Sequence, residues 1–385
     1  LKCASRKGFA PFDPHQGTSE TPLCIPLCTM QKIALGFGFA VAALAEPITH
    51  VEMFEDFMKT HDRKYESAEK QRRLEIFQEN MKMIEASNAK NLGYRLGVTP
   101  FTDLTFEEFR AQFVGGMTKL TAEEMENITK FERPLSFSAP ESVDWVAKGA
   151  VSSVKSQGNC GSCWTFSATG ALEGAMKIAG RDLVELSQQE LVDCDTGKMG
   201  GHGCNGGNPA QAFGWVKSHG MCSSKDYPYL CVDKTQDICR EATCTKCSMP
   251  TLKAGGETTK GDVIEYGMVG QNPEDLEAAV ARQPISVAIE ADTAVFQHYK
   301  SGVLTNKECG QNIDHAVLAV GYGVSEEGQE YWKVKNSWSP SWGEDGYVRL
   351  AKGSTAGLPK GMGECGIRTM ATYPTVKPVS GEVVV

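Results

Sequence analysis

Cysteine constrains this chain before anything else. Fourteen cysteines stand in 385 residues, many at close spacing. In a chain of this length that density points to an oxidising compartment rather than the cytosol. Cys3, Cys24 and Cys28 precede an apolar run, Ile33 to Ala45, and the other eleven follow it. Setting one aside as a free thiol leaves an even number for bridges.

The apolar run agrees with that compartment. Met30-Gln31-Lys32 is a short positive start, and Ala43-Leu44-Ala45 fits a small-residue cleavage site. Residues 30–45 therefore read as a signal peptide, with a buried helix as the alternative. The run is too short to span a bilayer as a helix. The chain opens on Leu1, so residues 1–29 read as translated upstream sequence rather than mature protein. Net charge is -9 and no basic block is present, which gives nucleic acid no footing.

Residues 47–136 read as helical. Glu69, Arg73, Ile76, Phe77, Asn80, Ile84 and Asn88 step by three or four along one helix face. Phe54, Phe57 and Met58 suggest a shorter helix before it. Asn127-Ile128-Thr129 is a glycosylation sequon. After Pro134 the chain becomes rich in Gly, Cys and aromatics. Cys163 to Ile178 reads as a helix stopped by Gly180. Residues 195–208 and 248–262 read as loops. Ile285–Ile289, Ala316–Tyr322, Tyr331–Asn336 and Tyr347–Ala351 read as strands. Helices first and strands later argue for an α+β fold with a cleft between two halves.

A nucleophilic cysteine needs a lowered pKa, a base and donors for an oxyanion. Cys163 would stand at a helix N-terminus, where the macrodipole favours thiolate. Gln157, in the loop before it, offers a side-chain amide to an oxyanion. His315 opens an apolar strand and is the candidate base, although a lone histidine there is more often structural. Asn336 ends the next strand, where its side-chain oxygen would orient the imidazole.

Cys160-Gly161-Ser162-Cys163-Trp164, Asp314-His315-Ala316 and Asn336-Ser337-Trp338 resemble the three signature blocks of papain-like, cathepsin L-like cysteine proteases. The helix face over 69–88 and Gly97-Val98-Thr99-Pro100-Phe101-Thr102-Asp103 resemble the two motifs of that family's prosegment. The resemblance covers roughly residues 50–375. His315 and Asn336 lie somewhat further from Cys163 than the usual separation of about 130–150 residues, which places extra loop residues in 195–203 and 229–247.

The resemblance implies a two-lobed papain-like fold, a helical lobe and a β-barrel-like lobe with the cleft between, preceded by a helical propeptide. It implies an inhibitory propeptide over 46–138, a mature peptidase domain over 139–375 and a loose tail over 376–385. The resting pair would be Cys163 thiolate and His315 imidazolium, with Asn336 and Gln157 in support and Trp338 shielding the His315–Asn336 bond. Gly206 and Gly207 would pair with substrate backbone. Asn208, Pro209, Ala288, Ile313, Asp314, Ala316 and Met370 would frame the substrate, and an apolar pocket ending in Met370 favours Leu, Val or Phe over Arg. No His-His pair in a long insertion near the cleft is found, which favours an endopeptidase. Bridges Cys160–Cys204, Cys194–Cys239 and Cys309–Cys365 are implied. Cys222, Cys231, Cys244 and Cys247 are left for two more, and Cys231, Cys239, Cys244 and Cys247 fit a zinc site poorly.

Thr99, Thr165 and Ser339 depart from the family's usual Asn, Ala and Gly. The resemblance calls for no cofactor and no metal. Its partners are polypeptide substrates, the chain's own propeptide as intramolecular inhibitor and cystatin-like inhibitors. It implies a monomer without a membrane span, in the secretory pathway and then a lysosome, a vacuole or the extracellular space. Acidic prosegment side chains paired with Arg and Lys are expected to let go on protonation. The competing readings are a thioredoxin-like oxidoreductase built on Cys160-Gly-Ser-Cys163, which lacks a strand before the motif, and a catalytically silent homologue.

Overall fold

The computed structural model describes residues 48–195, 201–230, 244, 258–305, 309–353 and 361–379. Residues 30–45, the expected signal peptide, and the residues upstream of them lie outside the described residues.

The prosegment is built from well-capped helices. α1 (His50–Thr60) begins with a capping box between Thr49 and Glu52 and buries Phe54 and Phe57. α2 (Ser67–Asn88) buries Phe77, Met81 and Ile84. Its polar face members are tethers: Asn80 Nδ2 donates to the carbonyls of Thr102 and Leu104, and Asn88 exchanges two hydrogen bonds with the Leu96 backbone. The helical expectation for this region misses two short strands. In β1 (Tyr94–Leu96) Tyr94 and Leu96 are buried around exposed Arg95, a period of two. α3 (Phe106–Phe113) and α4 (Ala122–Asn127) follow, capped by Thr105 with Glu108 and by Thr121 with Glu124, and then β2 (Thr129–Lys130).

The part expected to be the peptidase domain opens with β3 (Val143–Asp144) and α5 (Cys163–Ile178), which has the expected bounds and is buried along most of its length. Next come α6 (Gln188–Cys194), α7 (Pro209–His219), β4 (Gly220–Met221) and β5 (Thr258–Thr259). A 3-10 turn over Gly203–Asn205 and strand β5 lie where only loops were expected. The remaining elements are β6 (Val263–Met268), α8 (Pro273–Arg282), β7 (Ile285–Ile289), α9 (Ala294–Gln297), β8 (Tyr299–Leu304), β9 (His315–Val324), β10 (Glu330–Lys335), β11 (Tyr347–Ala351) and β12 (Ala371–Val376).

The main sheet runs β1-β8-β11-β10-β9-β7-β12-β6-β2, with β3 on β9. It is open, and both outer strands come from the prosegment: β1 pairs antiparallel with β8, and β2 parallel with β6. One apolar core lies in the helical half around Trp164, Leu172, Phe213 and Met221. The other fills the sheet around Phe296, Tyr299 and Trp342 and runs on into Phe54, Phe77 and Phe109. The prosegment thus shares its core with the sheet.

Cys160–Cys204 and Cys309–Cys365 are bridged. Cys194 pairs with Cys244, whereas Cys239 was expected. Their Cα atoms lie 4.8 Å apart, within the span a bridge requires, and sequence spacing carries no such distance. Cys239 lies outside the described residues. Cys222 is also disulfide-bonded, and the bridge at Cys244 removes it from the zinc alternative. The expected tail is tied down at its start: Val376 ends β12, and the Lys377 and Val379 amides donate to the Asp262 and Ala179 carbonyls. Among the described residues no helix is long and apolar enough to cross a membrane.

Candidate active site

α5 and β9 face one another and carry Cys163 and His315, the two side chains expected to react. Cys163 is the first residue of α5, and Ser162 is its N-cap. The Ala316 amide donates to Cys163 Sγ at 3.4 Å, so the thiol lies against the strand that His315 opens. His315 Nε2 and Asn336 Oδ1 are 2.8 Å apart. Asn336 stands one residue past β10, and its Oδ1 also accepts the Ser337 amide at 2.8 Å. Two donors on one oxygen fix the Asn336 amide, and the bond to Nε2 leaves Nδ1 as the nitrogen free for proton transfer. The His315 ring stacks on Trp338, centres 4.7 Å apart at 29°. His315 Nδ1, Asn336 Nδ2 and Trp338 Nε1 are buried without a hydrogen-bond partner.

In this covered state burial works against the expected ion pair. Burial pushes the Cys163 thiol up to about 12, with Asp314 adding to the effect and the Ala316 amide opposing it. Burial pulls His315 down to about 4 against the Asn336 bond. Both shifts favour the neutral form, because burial removes the solvation that each charged form needs. The Asp314 carboxyl is likewise raised, by burial and by neighbouring Asp292, although the Ala291 and Asp292 amides donate to it.

Gln157 is held at every polar atom. Its Oε1 accepts from Ser337 Oγ at 2.7 Å, and its Nε2 donates to Cys160 O at 2.9 Å and to Phe113 O of the prosegment at 3.4 Å.

The prosegment fills the cleft. Met117 forms a parallel bridge with Gly207, through Gly207 N to Gly116 O at 2.6 Å and Thr118 N to Gly207 O at 3.0 Å. The Gly115 amide donates to Asp314 O. Side chains would forbid this approach: a Cβ on Gly116 would lie 2.6 Å from Gly161 O, and one on Gly206, at φ +113°, would lie 2.3 Å from Gly116 O. Phe101 and Phe109 press edge-on against Trp338.

Of the expected pocket residues, Ala288, Ile313 and Met370 pack together. Ala316 is paired with Ala288 across β7 and β9. Asn208 caps α7 through Oδ1 to the Ala210 amide, and its Nδ2 reaches Thr118 O at 2.8 Å and Met370 Sδ at 3.4 Å. Pro209 is the buried first residue of α7. The sequence reading missed Ala210, Tyr266 and Met268 in the same cluster, and missed that Met117, Leu120 and Ile128 of the prosegment occupy it. Only the strand period of β6 signalled the latter two wall residues.

The three departures are each accommodated. Thr99 Oγ1 donates to Gln297 O at 3.0 Å, and Thr165 Oγ1 to Ser162 O at 2.9 Å. Ser339 sits at φ +76°, a conformation that costs a non-glycine residue about 1 kcal/mol. Asn127 ends α4, exposed, with Nδ2 donating to Glu123 O.

Comparison with known proteins agrees with this geometry. Residues 139–375 match the papain family of cysteine proteases, and residues 54–109 match the cathepsin propeptide inhibitor domain. Cysteine proteinase RD21A of Arabidopsis thaliana is 44% identical over 307 residues, covering 80% of this chain and 62% of that protein. The chain thus spans less than two thirds of that relative's length. A solved recombinant stem bromelain precursor is 37% identical with a TM-score of 0.73, covering 85% of this chain and 99% of that one. Procathepsin L 3 of the Tenebrio molitor larval midgut is 33% identical with a TM-score of 0.71, covering 86% and 100%. The chain belongs to the papain family of cysteine proteases and carries a cathepsin-type propeptide inhibitor domain ahead of its peptidase domain.

Proposed function

We propose that this chain is the zymogen of a cysteine endopeptidase, with Cys163 as nucleophile and His315 as its base. The observation that carries the reading is the bond between His315 and Asn336 beside a thiol whose cleft holds the chain's own prosegment.

Removal of the prosegment lets water and substrate into the cleft. The burial that disfavours charge on both groups is then relieved, and the Cys163 proton passes to His315 Nδ1. The thiolate attacks the scissile carbonyl carbon and its π electrons move to oxygen. The Cys163 backbone N–H and Gln157 Nε2 hold that oxyanion. His315 returns the proton to the amine as the C–N bond breaks, which leaves a thioester. His315 then takes a proton from water, the hydroxide adds to the acyl carbon, and the Cys163 sulfur leaves. Asn336 keeps the imidazole in register throughout.

The remaining assignments belong to the same proposal. Residues 30–45 direct the chain into the secretory pathway, towards a lysosome, a vacuole or the outside. Residues 46–138 are removed near Ala139. The exposed sequon at Asn127 accepts glycan, and cystatin-like proteins inhibit the mature monomer.

Hydrolysis of a Phe-Arg or Leu-Arg fluorogenic peptide after acid activation tests this, with Cys163→Ala alongside. Activity in the parent alone is expected. A folded, processed parent without activity would point to a silent homologue.

A further inference from the structure

Ser337 turns the Gln157 side chain so that Nε2 faces the cleft, but another contact must set how far Gln157 lies from the Cys163 amide. That span runs through residues 158–162, and the Tyr229 side chain crosses it. Tyr229 Oη donates to the Gln157 carbonyl at 2.8 Å and lies 2.7 Å from Ser162 Oγ. A carbonyl only accepts, so the phenol's single proton goes to Gln157 and the Ser162 hydroxyl must donate to the phenol oxygen. The bonds therefore run one way, from the N-cap of α5 through Tyr229 to Gln157.

We propose that Tyr229 is a positioning residue of the oxyanion site, its hydroxyl setting the span between the Gln157 amide and the Cys163 N–H. The inference rests on the reading of Gln157 as an oxyanion donor. The ring is itself pinned. It meets Phe166 of α5 edge-on, centres 5.0 Å apart at 78°, and it packs against the cluster of Cys160 and Val192, which the Cys160–Cys204 bridge adjoins. Burial pushes its phenol up, so it stays a donor at acid and neutral pH.

Removing one oxyanion donor typically costs about 10²–10³ in kcat. Deleting the Tyr229 hydroxyl leaves Gln157 present but loosely placed, so a smaller loss of about tenfold is expected. The test compares Tyr229→Phe, Gln157→Ala and their combination on a fluorogenic peptide after acid activation. Tyr229→Phe should lower kcat about tenfold at unchanged KM, with both limbs of the pH profile in place. It should add nothing to Gln157→Ala, because both act on one interaction. Ser162→Ala cuts the bridge from the other end and should reproduce the loss, which covers a Tyr229→Phe chain that fails to fold. Parent kcat in a folded Tyr229→Phe, or a loss that multiplies with that of Gln157→Ala, overturns the proposal alone. Parent kcat in Gln157→Ala overturns the oxyanion reading and this proposal with it.

Discussion

Phe109 of the prosegment and Trp338 of the peptidase domain meet edge to face, ring centres 5.2 Å apart. The same indole stacks on His315, so an inhibitory side chain sits one ring away from the proposed base. Phe101 approaches Trp338 in the same manner at 5.5 Å. Truncating a buried phenylalanine costs about 3–5 kcal/mol. Phe109→Ala should therefore loosen the closed cleft and speed labelling of Cys163 by a thiol-directed epoxide at pH 7. A folded variant labelled no faster than its parent would show that this contact does not hold the cleft shut.

Acid acts on the zymogen through groups of opposite sign. Burial works to raise Glu108, but hydrogen bonds from Arg73, Thr105 and Arg72 leave it lowered. Its contribution is present above the unfolded value near 4.5 and is lost as pH falls below that, in line with release on protonation. Asp103 runs the other way. Burial raises it against Arg63 and Tyr65, so its protonation favours the folded state. His298 is buried with both ring nitrogens unpartnered, and burial lowers it to about 3. A base lowered from 6.5 resists charging, so stability should decline as pH falls from 6.5 towards 3. Between pH 6.5 and 4.5 His298 and His315, both lowered by burial, take stability away as pH falls, while Asp195, raised by burial to about 6, and Asp314, raised by burial to about 8, add to it. Adding His298→Leu to the Cys163→Ala zymogen should make its denaturation midpoints fall less, or rise more, as pH drops across this window. Equal slopes would remove His298 from the account.

The pocket around Ala288, Ile313 and Met370 is apolar, and its one amide, Asn208, is engaged with Met370 and α7. A guanidinium there would lie unpaired. Peptides with Leu, Val or Phe two residues before the scissile bond should exceed their Arg counterparts in kcat/KM by at least about tenfold. Met370→Glu should narrow or reverse that ratio, and an Arg preference in the parent would mean that the pocket lies elsewhere.

Mass spectrometry of a non-reduced digest should recover Cys194 linked to Cys244. Recovery of a peptide linking Cys194 to Cys239 would restore the pairing that family resemblance implies.

Local chemistry carried much of this into the sequence. Cys163 to Ile178 and Ile285 to Ile289 keep their expected bounds because their apolar residues recur at helix and strand periods. His315 and Asn336 were legible as a pair because each stands at the lip of a neighbouring strand. What the sequence withheld depends on distance through space. β1 spans three residues and β2 two, too few to mark a strand in the sequence, and both exist through their partners β8 and β6. The burial that disfavours charge on Cys163 and His315 depends on residues about fifty positions upstream of the cysteine lying over it. The Tyr229 bridge joins residues that no spacing rule connects.

The two outermost strands of the sheet have a further consequence, in the order of synthesis. The ribosome delivers β1 and β2 before β6 and β8, so each template is waiting when its client strand emerges. Once the prosegment leaves, β6 and β8 become bare margins with unanswered backbone donors and acceptors, the surfaces through which sheets recruit other chains. Ripening therefore moves the two open margins of the sheet from strands of three and two residues to strands of six residues each, and it lengthens the edge that another chain could pair with.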